Sequence, residues 1–178
     1  MIFPKDPTEL YKLKVPGAAL DIGTGEGYNL KRMLDFIENK LIIGIDVNLE
    51  KLKKVNLSLK NPNLELVQAN AEHLPFKDNV FGIVASSYTF HHIDNKKKAV
   101  EEIWRAMKEL GFAVIFDWTP SSRSSPHSPD ELKVSMFETL SAFKRAFFRF
   151  RYMVEEERYV IFVEKEEAFN GERWRGGI

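Results

Sequence analysis

The 178-residue chain contains no cysteine. That absence excludes disulfides, zinc–cysteine clusters, iron–sulfur centres and thiol nucleophiles. Net charge is missing as well, since 26 Lys and Arg balance 26 Asp and Glu. A generally basic, phosphate-tracking surface is therefore not expected, and nucleic acid is a disfavoured partner unless a local patch supplies the contact. No apolar run reaches the length of a membrane span. The opening Met1-Ile2-Phe3-Pro4-Lys5-Asp6 lacks the pattern of a signal peptide, so the expectation is a cytoplasmic protein. At this length the chain reads as one domain over residues 1–178, with residues 1–17 forming a short amino-terminal segment.

Against these absences stands one dense stretch, Leu20-Asp21-Ile22-Gly23-Thr24-Gly25-Glu26-Gly27. An apolar strand over Ala18–Ile22 runs into three glycines spaced two apart, and a helical pattern follows at once. Glycine opens backbone angles closed to other residues and lets a ligand lie against the main chain. Free amides at the start of the next helix favour an anionic group. The pattern reads as a nucleotide-type site at the carboxyl end of the first strand of an α/β sheet. Taken by itself the loop has a plain strand-to-helix turn as its lesser alternative. A dinucleotide fold wants G-x-G-x-x-G, but Tyr28 fills the third place and the extra glycine is Gly27. NAD is thereby disfavoured, and a ligand with a zwitterionic amino-acid end suits the loop better.

Further along, strands and helices alternate. Asp6-Pro7-Thr8-Glu9 has the form of a helix start, with a helix expected to about Leu13. Leu30, Met33, Leu34 and Ile37 repeat at helical spacing, and residues 41–45 form a continuous apolar strand. Asn48 can cap a helix with Leu49, Leu52 and Val55 inward. Strands are expected over residues 64–67 and 80–85. A helix opened by Asp94 or Asn95 and bearing Val100, Ile103, Trp104 and Met107 follows, then a strand over 112–116. Lys96-Lys97-Lys98 in its first turn reads as solvated. Residues 119–129 are a proline- and serine-rich loop ending in the capping box Ser128-Pro129-Asp130-Glu131, which predicts a helix over 129–148. Arg149–Val154 and Arg158–Glu164 read as a closing hairpin, although the first could continue the helix. Five strand–helix alternations give an α/β fold with a mainly parallel sheet.

Two further places carry chemistry. Asp46 ends the second strand about 20 residues after the glycines, where a carboxylate can accept both ribose hydroxyls or merely cap the next helix. Gln68-Ala69-Asn70-Ala71-Glu72-His73-Leu74-Pro75-Phe76 puts polar groups after strand three, either as an adenine border or as an ordinary loop.

The glycine loop, Asp46, Asn70-Ala71-Glu72 with Leu74-Pro75-Phe76, and residues 81–92 together resemble a class I S-adenosylmethionine-dependent methyltransferase. The similarity is greatest to small-molecule enzymes of the ubiquinone/menaquinone-biosynthesis type and covers roughly residues 18–117. It implies a Rossmann-like, mostly parallel seven-stranded sheet with helices on both faces and an antiparallel last strand. It implies S-adenosyl-L-methionine as cofactor, with Asp21, Gly23, Thr24, Gly25 and Gly27 at the methionine end and Asp46 and Val47 at the ribose. Asn70, Ala71 and Glu72 would border the adenine, and Ser86 would lie beside the cofactor. Two departures stand out: Asn70 replaces the usual Asp, and Lys108-Glu109-Leu110-Gly111 replaces a Lys-Pro-Gly-Gly turn. With so little chain before strand one, substrate binding must lean on residues 119–153 or on a partner chain, a second copy or another protein.

Methyl transfer from a sulfonium is an in-line displacement that needs alignment more than acid–base help. If a proton must leave, His91 or His92 is the base best placed for it, with a structural role as the alternative. No metal is expected, because the adjacent His91 and His92 would have to converge with Asp94 on one ion. Lack of cysteine argues against arsenite methylation, and Ser86-Ser87-Tyr88-Thr89 stands where base-amino methyltransferases carry an Asn-Pro-Pro-Tyr-like signature. The leading expectation is a small-molecule acceptor. The alternatives are an RNA or protein methyltransferase working with a partner subunit, and a cofactor-binding module without turnover. The aromatic and basic stretch at residues 143–152 reads as a helix packed on the sheet, with a hydrophobic lid or a nucleic-acid surface as alternatives.

Overall fold

A computed structural model describes residues 7–147 and 149–166. Seven strands lie in one sheet: β1 (Ala18–Ile22), β2 (Ile42–Asp46), β3 (Leu64–Gln68), β4 (Phe81–Ser87), β5 (Met107–Trp118), β6 (Arg149–Val154) and β7 (Arg158–Glu164). Their spatial order is β3-β2-β1-β4-β5-β7-β6. The first five run parallel, and β7 is antiparallel to both β5 and β6. Among the described residues the α-helices are α1 (Tyr28–Phe36), α2 (Leu49–Ser58), α3 (Lys96–Ala106) and α4 (Pro129–Ala146).

The apolar runs are unbroken because both sheet faces are covered, so every residue of β1 from Ala19 on is buried, as are six of the seven in β4. Alternation still decides the partner. Leu20, Ile22, Ile43, Ile45 and Val84 pack with Val100 and Ile103 of α3 and Phe143 of α4. Ala19, Ile42, Ile83 and Ala85 pack on the other side with Leu30 and Met33 of α1 and with Leu10 and Tyr11. Each such large aliphatic side chain contributes about 2 kcal/mol on burial. Strand order reverses between β1 and β4, and a crevice therefore opens outside their carboxyl ends.

Helix starts follow their sequence signals. The Asn48 side chain accepts from the amides of Glu50 and Lys51, Asn95 accepts from Lys98, and Ser128 with Glu131 forms the reciprocal capping box. Residues Pro7–Lys12 form the expected short helix, wound as a 3-10 helix, and Asp6, read as its start, lies outside the described residues. Several expectations need correction. Leu49 is exposed at the first turn of α2. Met107 belongs to β5, where it pairs with Phe81, so the strand starts five residues earlier than expected and shifts register before Phe112 pairs with Ile83. Lys96 is buried at 8% exposure, its Nζ donating to Ile93 O at 3.0 Å and facing Glu138 at 3.3 Å. The last helix stops at Ala146 because Phe147 turns extended, at φ −125° and ψ 127°. Residues Arg149–Val154 form a strand, and Phe143 and Phe147 pack inward as the helical reading required. Among the described residues, no helix is long and apolar enough to cross a membrane.

Candidate active site

The loop after β1 is held by the neighbouring strand. Gly23 N and Thr24 N both donate to Ile45 O at 2.9 Å. Gly23 has φ 71°, and a Cβ there would lie 2.1 Å from Thr89 Oγ1, so only glycine fits this crossing. Gly27, at φ 83°, begins α1 with no capping side chain, which leaves the first amides of the helix to a ligand.

Below the loop sits Asp21, 1% exposed. Its Oδ1 accepts from Asn29 Nδ2 at 2.6 Å and its Oδ2 from Thr24 Oγ1 at 3.0 Å. Burial dominates its titration and pushes the carboxyl up to about 6, against the lowering effect of those two donors. At the end of β2, Asp46 Oδ2 accepts from Gly25 N and its Oδ1 from Asn48 N, each at 2.8 Å. Each oxygen keeps further acceptor capacity toward the crevice.

Past β3, Asn70 Oδ1 accepts from Glu72 N at 2.8 Å, and Glu72 Oε1 accepts from Asn95 N at 3.0 Å. Asn70 thus performs the backbone task of an aspartate, while its amide adds a donor. The next residues are fastened from α3. Arg105 donates to Phe76 O at 2.8 Å, to Leu74 O at 3.2 Å and to Asp78 at 2.8 Å, while Glu102 accepts from Leu74 N at 2.8 Å.

These elements enclose a cleft of about 640 Å³. Of the residues assigned to the cofactor by sequence, Gly23, Thr24, Gly25, Asp46 and Val47 line one wall, and Asn70, Ala71 and Glu72 another. Asp21, Gly27 and Ser86 stand behind the lining. Ser86 is fully buried, its Oγ donating to Ile22 O at 2.9 Å and tying β4 to β1. The cleft also has a third wall that sequence reasoning missed, made of Ser87, Tyr88, Thr89 and Ile93. The available signal was position: residues after β4 adjoin β1 at the reversal of strand order. Tyr88 is held at φ 53° and stacks on Trp118 with ring centroids 4.0 Å apart.

The two candidate bases part company. His91 lies outside the lining, its Nδ1 2.6 Å from Asp117 Oδ1 and its backbone N donating to Asp117 Oδ2 at 2.9 Å. His92 lines the cleft beside Thr89. Burial, with His91 and His127 beside it, pulls the His92 imidazole below its ordinary range.

Fold and cleft define an α/β enzyme built to hold an adenosyl cofactor at its strand ends. The residues suit S-adenosylmethionine: a close-approach glycine loop, uncapped first amides of α1, and the acceptor oxygens of Asp46 facing Asn70, Ala71 and Glu72 along one cleft. The sequence pattern of the family described as a methyltransferase domain matches residues 20–115, more than half of the chain, and the chain belongs to that family. It is 33% identical over 105 residues to the ubiquinone/menaquinone biosynthesis C-methyltransferase UbiE of Wigglesworthia glossinidia brevipalpis, covering 56% of this chain and 42% of that one. This chain thus spans about two fifths of the length of the curated relatives it matches. A S-adenosylmethionine-dependent methyltransferase from Aquifex aeolicus superposes with a TM-score of 0.73 at 26% identity, over 89% of this chain and 93% of that chain. A methyltransferase from Haloferax volcanii, solved with its activator Trm112, gives 0.73 at 17% identity over 91% and 88%, which shows the shared fold. The domain is a class I S-adenosylmethionine-dependent methyltransferase domain, and S-adenosylmethionine is its cofactor.

Proposed function

We propose that this domain transfers the cofactor's methyl group to a small-molecule acceptor entering beside Tyr88 and His92. One observation carries the reading: the wall of the cleft next to the glycine loop presents Tyr88, stacked on Trp118, as an aromatic platform of small-molecule size. The UbiE relative is named for quinone biosynthesis, and a flat ring of that kind suits such a platform. When bound, the cofactor supplies an already activated methyl group.

The chain's part is to bind, align and exclude water. The Gly23–Gly27 loop lies along the methionine end, whose carboxylate meets the uncapped first amides of α1, and Asp46 takes the ribose, with Val47 beside it. Asn70, Ala71 and Glu72 border the base. Asp21, Gly27 and Ser86 hold those residues in place from behind. His92 meets the acceptor, and His91, pinned by Asp117, fixes the turn that carries it.

The test is incubation with methyl-labelled S-adenosylmethionine and a panel of small phenols and quinols. Label recovered in the small organic fraction supports the reading. Label that enters only RNA or protein, and only when a partner is added, overturns it.

A further inference from the structure

Three of the four histidines in this chain meet at one point. His91 and His92 come from the 3-10 turn Phe90–His92 that follows β4, and His127 from the loop leading into α4. One ring nitrogen from each lies within 4.8 Å of the others. Ring centroids stand 4.0 Å apart for His91–His92, 4.8 Å for His91–His127 and 5.1 Å for His92–His127. A tetrahedral ion with bonds of about 2.1 Å holds its nitrogens about 3.4 Å apart, so modest ring rotations complete the set. The sequence alone paired His91 and His92 with Asp94; the fold brings in His127.

A second observation points the same way. Asp117, 1% exposed, holds His91 Nδ1 at 2.6 Å and fixes the ring's tautomer and direction, leaving Nε2 as the nitrogen free to act as a ligand atom. A buried carboxylate orienting a histidine is the support that metal-binding imidazoles use. His92 is exposed and His127 half-buried, so both rings can adjust around the fixed one.

We propose that His91, His92 and His127 bind a divalent transition metal of the zinc class, with an open coordination position at the acceptor end of the cleft. Three imidazoles without thiolate or additional oxygen ligands suit zinc, cobalt or nickel, whereas magnesium and calcium require oxygen donors. A three-histidine set leaves the fourth position to water or to a substrate oxygen. His92 lines the cofactor cleft, which puts that position where the acceptor arrives. An acceptor hydroxyl bound there releases its proton to solvent more readily, so His92 serves as ligand and the cation does the work of a base. That role rests on the methyl-transfer reading, whereas metal binding itself does not.

The experiment is titration of chelator-treated protein with Co²⁺, read by visible absorption and by calorimetry, then displacement by Zn²⁺. One ion per chain with the intense spectrum of a four-coordinate site is expected. His127→Ala should weaken binding at least about tenfold, and His73→Ala, which removes the fourth histidine, should leave it unchanged. S-adenosylhomocysteine binding, measured on the same samples, reports separately on the fold and on the cofactor site. No stoichiometric Co²⁺ binding by protein that binds S-adenosylhomocysteine, or Co²⁺ binding that survives His127→Ala intact, overturns the metal site. Metal binding without S-adenosylhomocysteine binding would instead strike at the cofactor assignment.

Discussion

Thr89 Oγ1 donates to Gly23 O at 3.3 Å, and the same side chain occupies the space a Cβ on Gly23 would need, 2.1 Å from its Oγ1. The glycine loop and the turn after β4 are therefore fitted to each other across the cleft. Gly23→Ala should lower S-adenosylhomocysteine affinity by at least about tenfold and cost about 2 kcal/mol of stability, from the clash plus the positive φ. Adding Thr89→Ala removes the two nearest clashing atoms, Oγ1 and Cγ2, but leaves the residue-89 Cβ at 2.6 Å and the φ penalty, so the double variant should recover part of the loss. Titration calorimetry and denaturant unfolding of the three variants check this; simple additivity would contradict it.

Asp21 supplies the pH prediction. Its folded carboxyl is raised from 3.8 to about 6, mainly by burial, with Asp46 adding a smaller push and Asn29 and Thr24 pulling the other way. The folded state thus holds the proton more tightly than the unfolded state. Stability is highest with the group protonated, falls as pH rises from about 4 to about 6, and levels above that. The full span is about 3 kcal/mol. Asp21→Asn should abolish that slope, so unfolding free energy of the variant minus that of wild type should grow over this window. A pH-independent difference would show that Asp21 titrates normally.

Arg105 reaches the cofactor cleft only through the backbone. It gathers Leu74 O, Phe76 O and Asp78 while Glu102 holds Leu74 N, which fixes the segment following Asn70-Ala71-Glu72. Arg105→Ala leaves two carbonyls and two carboxylates without their cation, at about 1–3 kcal/mol. The expected result is a several-fold weaker affinity for S-adenosylhomocysteine, with a smaller change for methionine-end fragments. Equal losses for both would contradict a positioning role at the adenine side.

His92 lines the cleft, whereas His91 is turned to Asp117. His92→Ala should cut turnover by about a hundredfold while leaving S-adenosylhomocysteine affinity within about twofold. Steady-state kinetics with a responsive acceptor, beside calorimetry, separates the two. Unchanged turnover would remove His92 from the mechanism.

Much of the fold was legible because the signals were local. Ala18–Ile22, Arg149–Val154 and Arg158–Glu164 have the limits that their residue types suggest, and Asn48, Asn95 and Ser128 cap as their side-chain chemistry dictates. Local reasoning failed where distant segments decide. Met107 joins a strand because Phe81 is there to pair with it, and Lys96 is buried because Ile93 O and Glu138 receive its ammonium. At the cleft, the loop glycines, Asp46 and Asn70–Glu72 stood out by spacing. Tyr88 and Thr89 carried no motif, and His127 comes from a separate loop whose approach to His91 and His92 only the folded chain shows.

The central claim is that the cleft outside β1 and β2 holds S-adenosylmethionine through the glycine loop and Asp46. Calorimetric titration with S-adenosylmethionine and S-adenosylhomocysteine, wild type beside Asp46→Ala, tests it most directly. The account predicts one micromolar site per chain in the wild type and its loss in a folded Asp46→Ala variant. Absence of binding by folded wild type, or binding undiminished in Asp46→Ala, would contradict it.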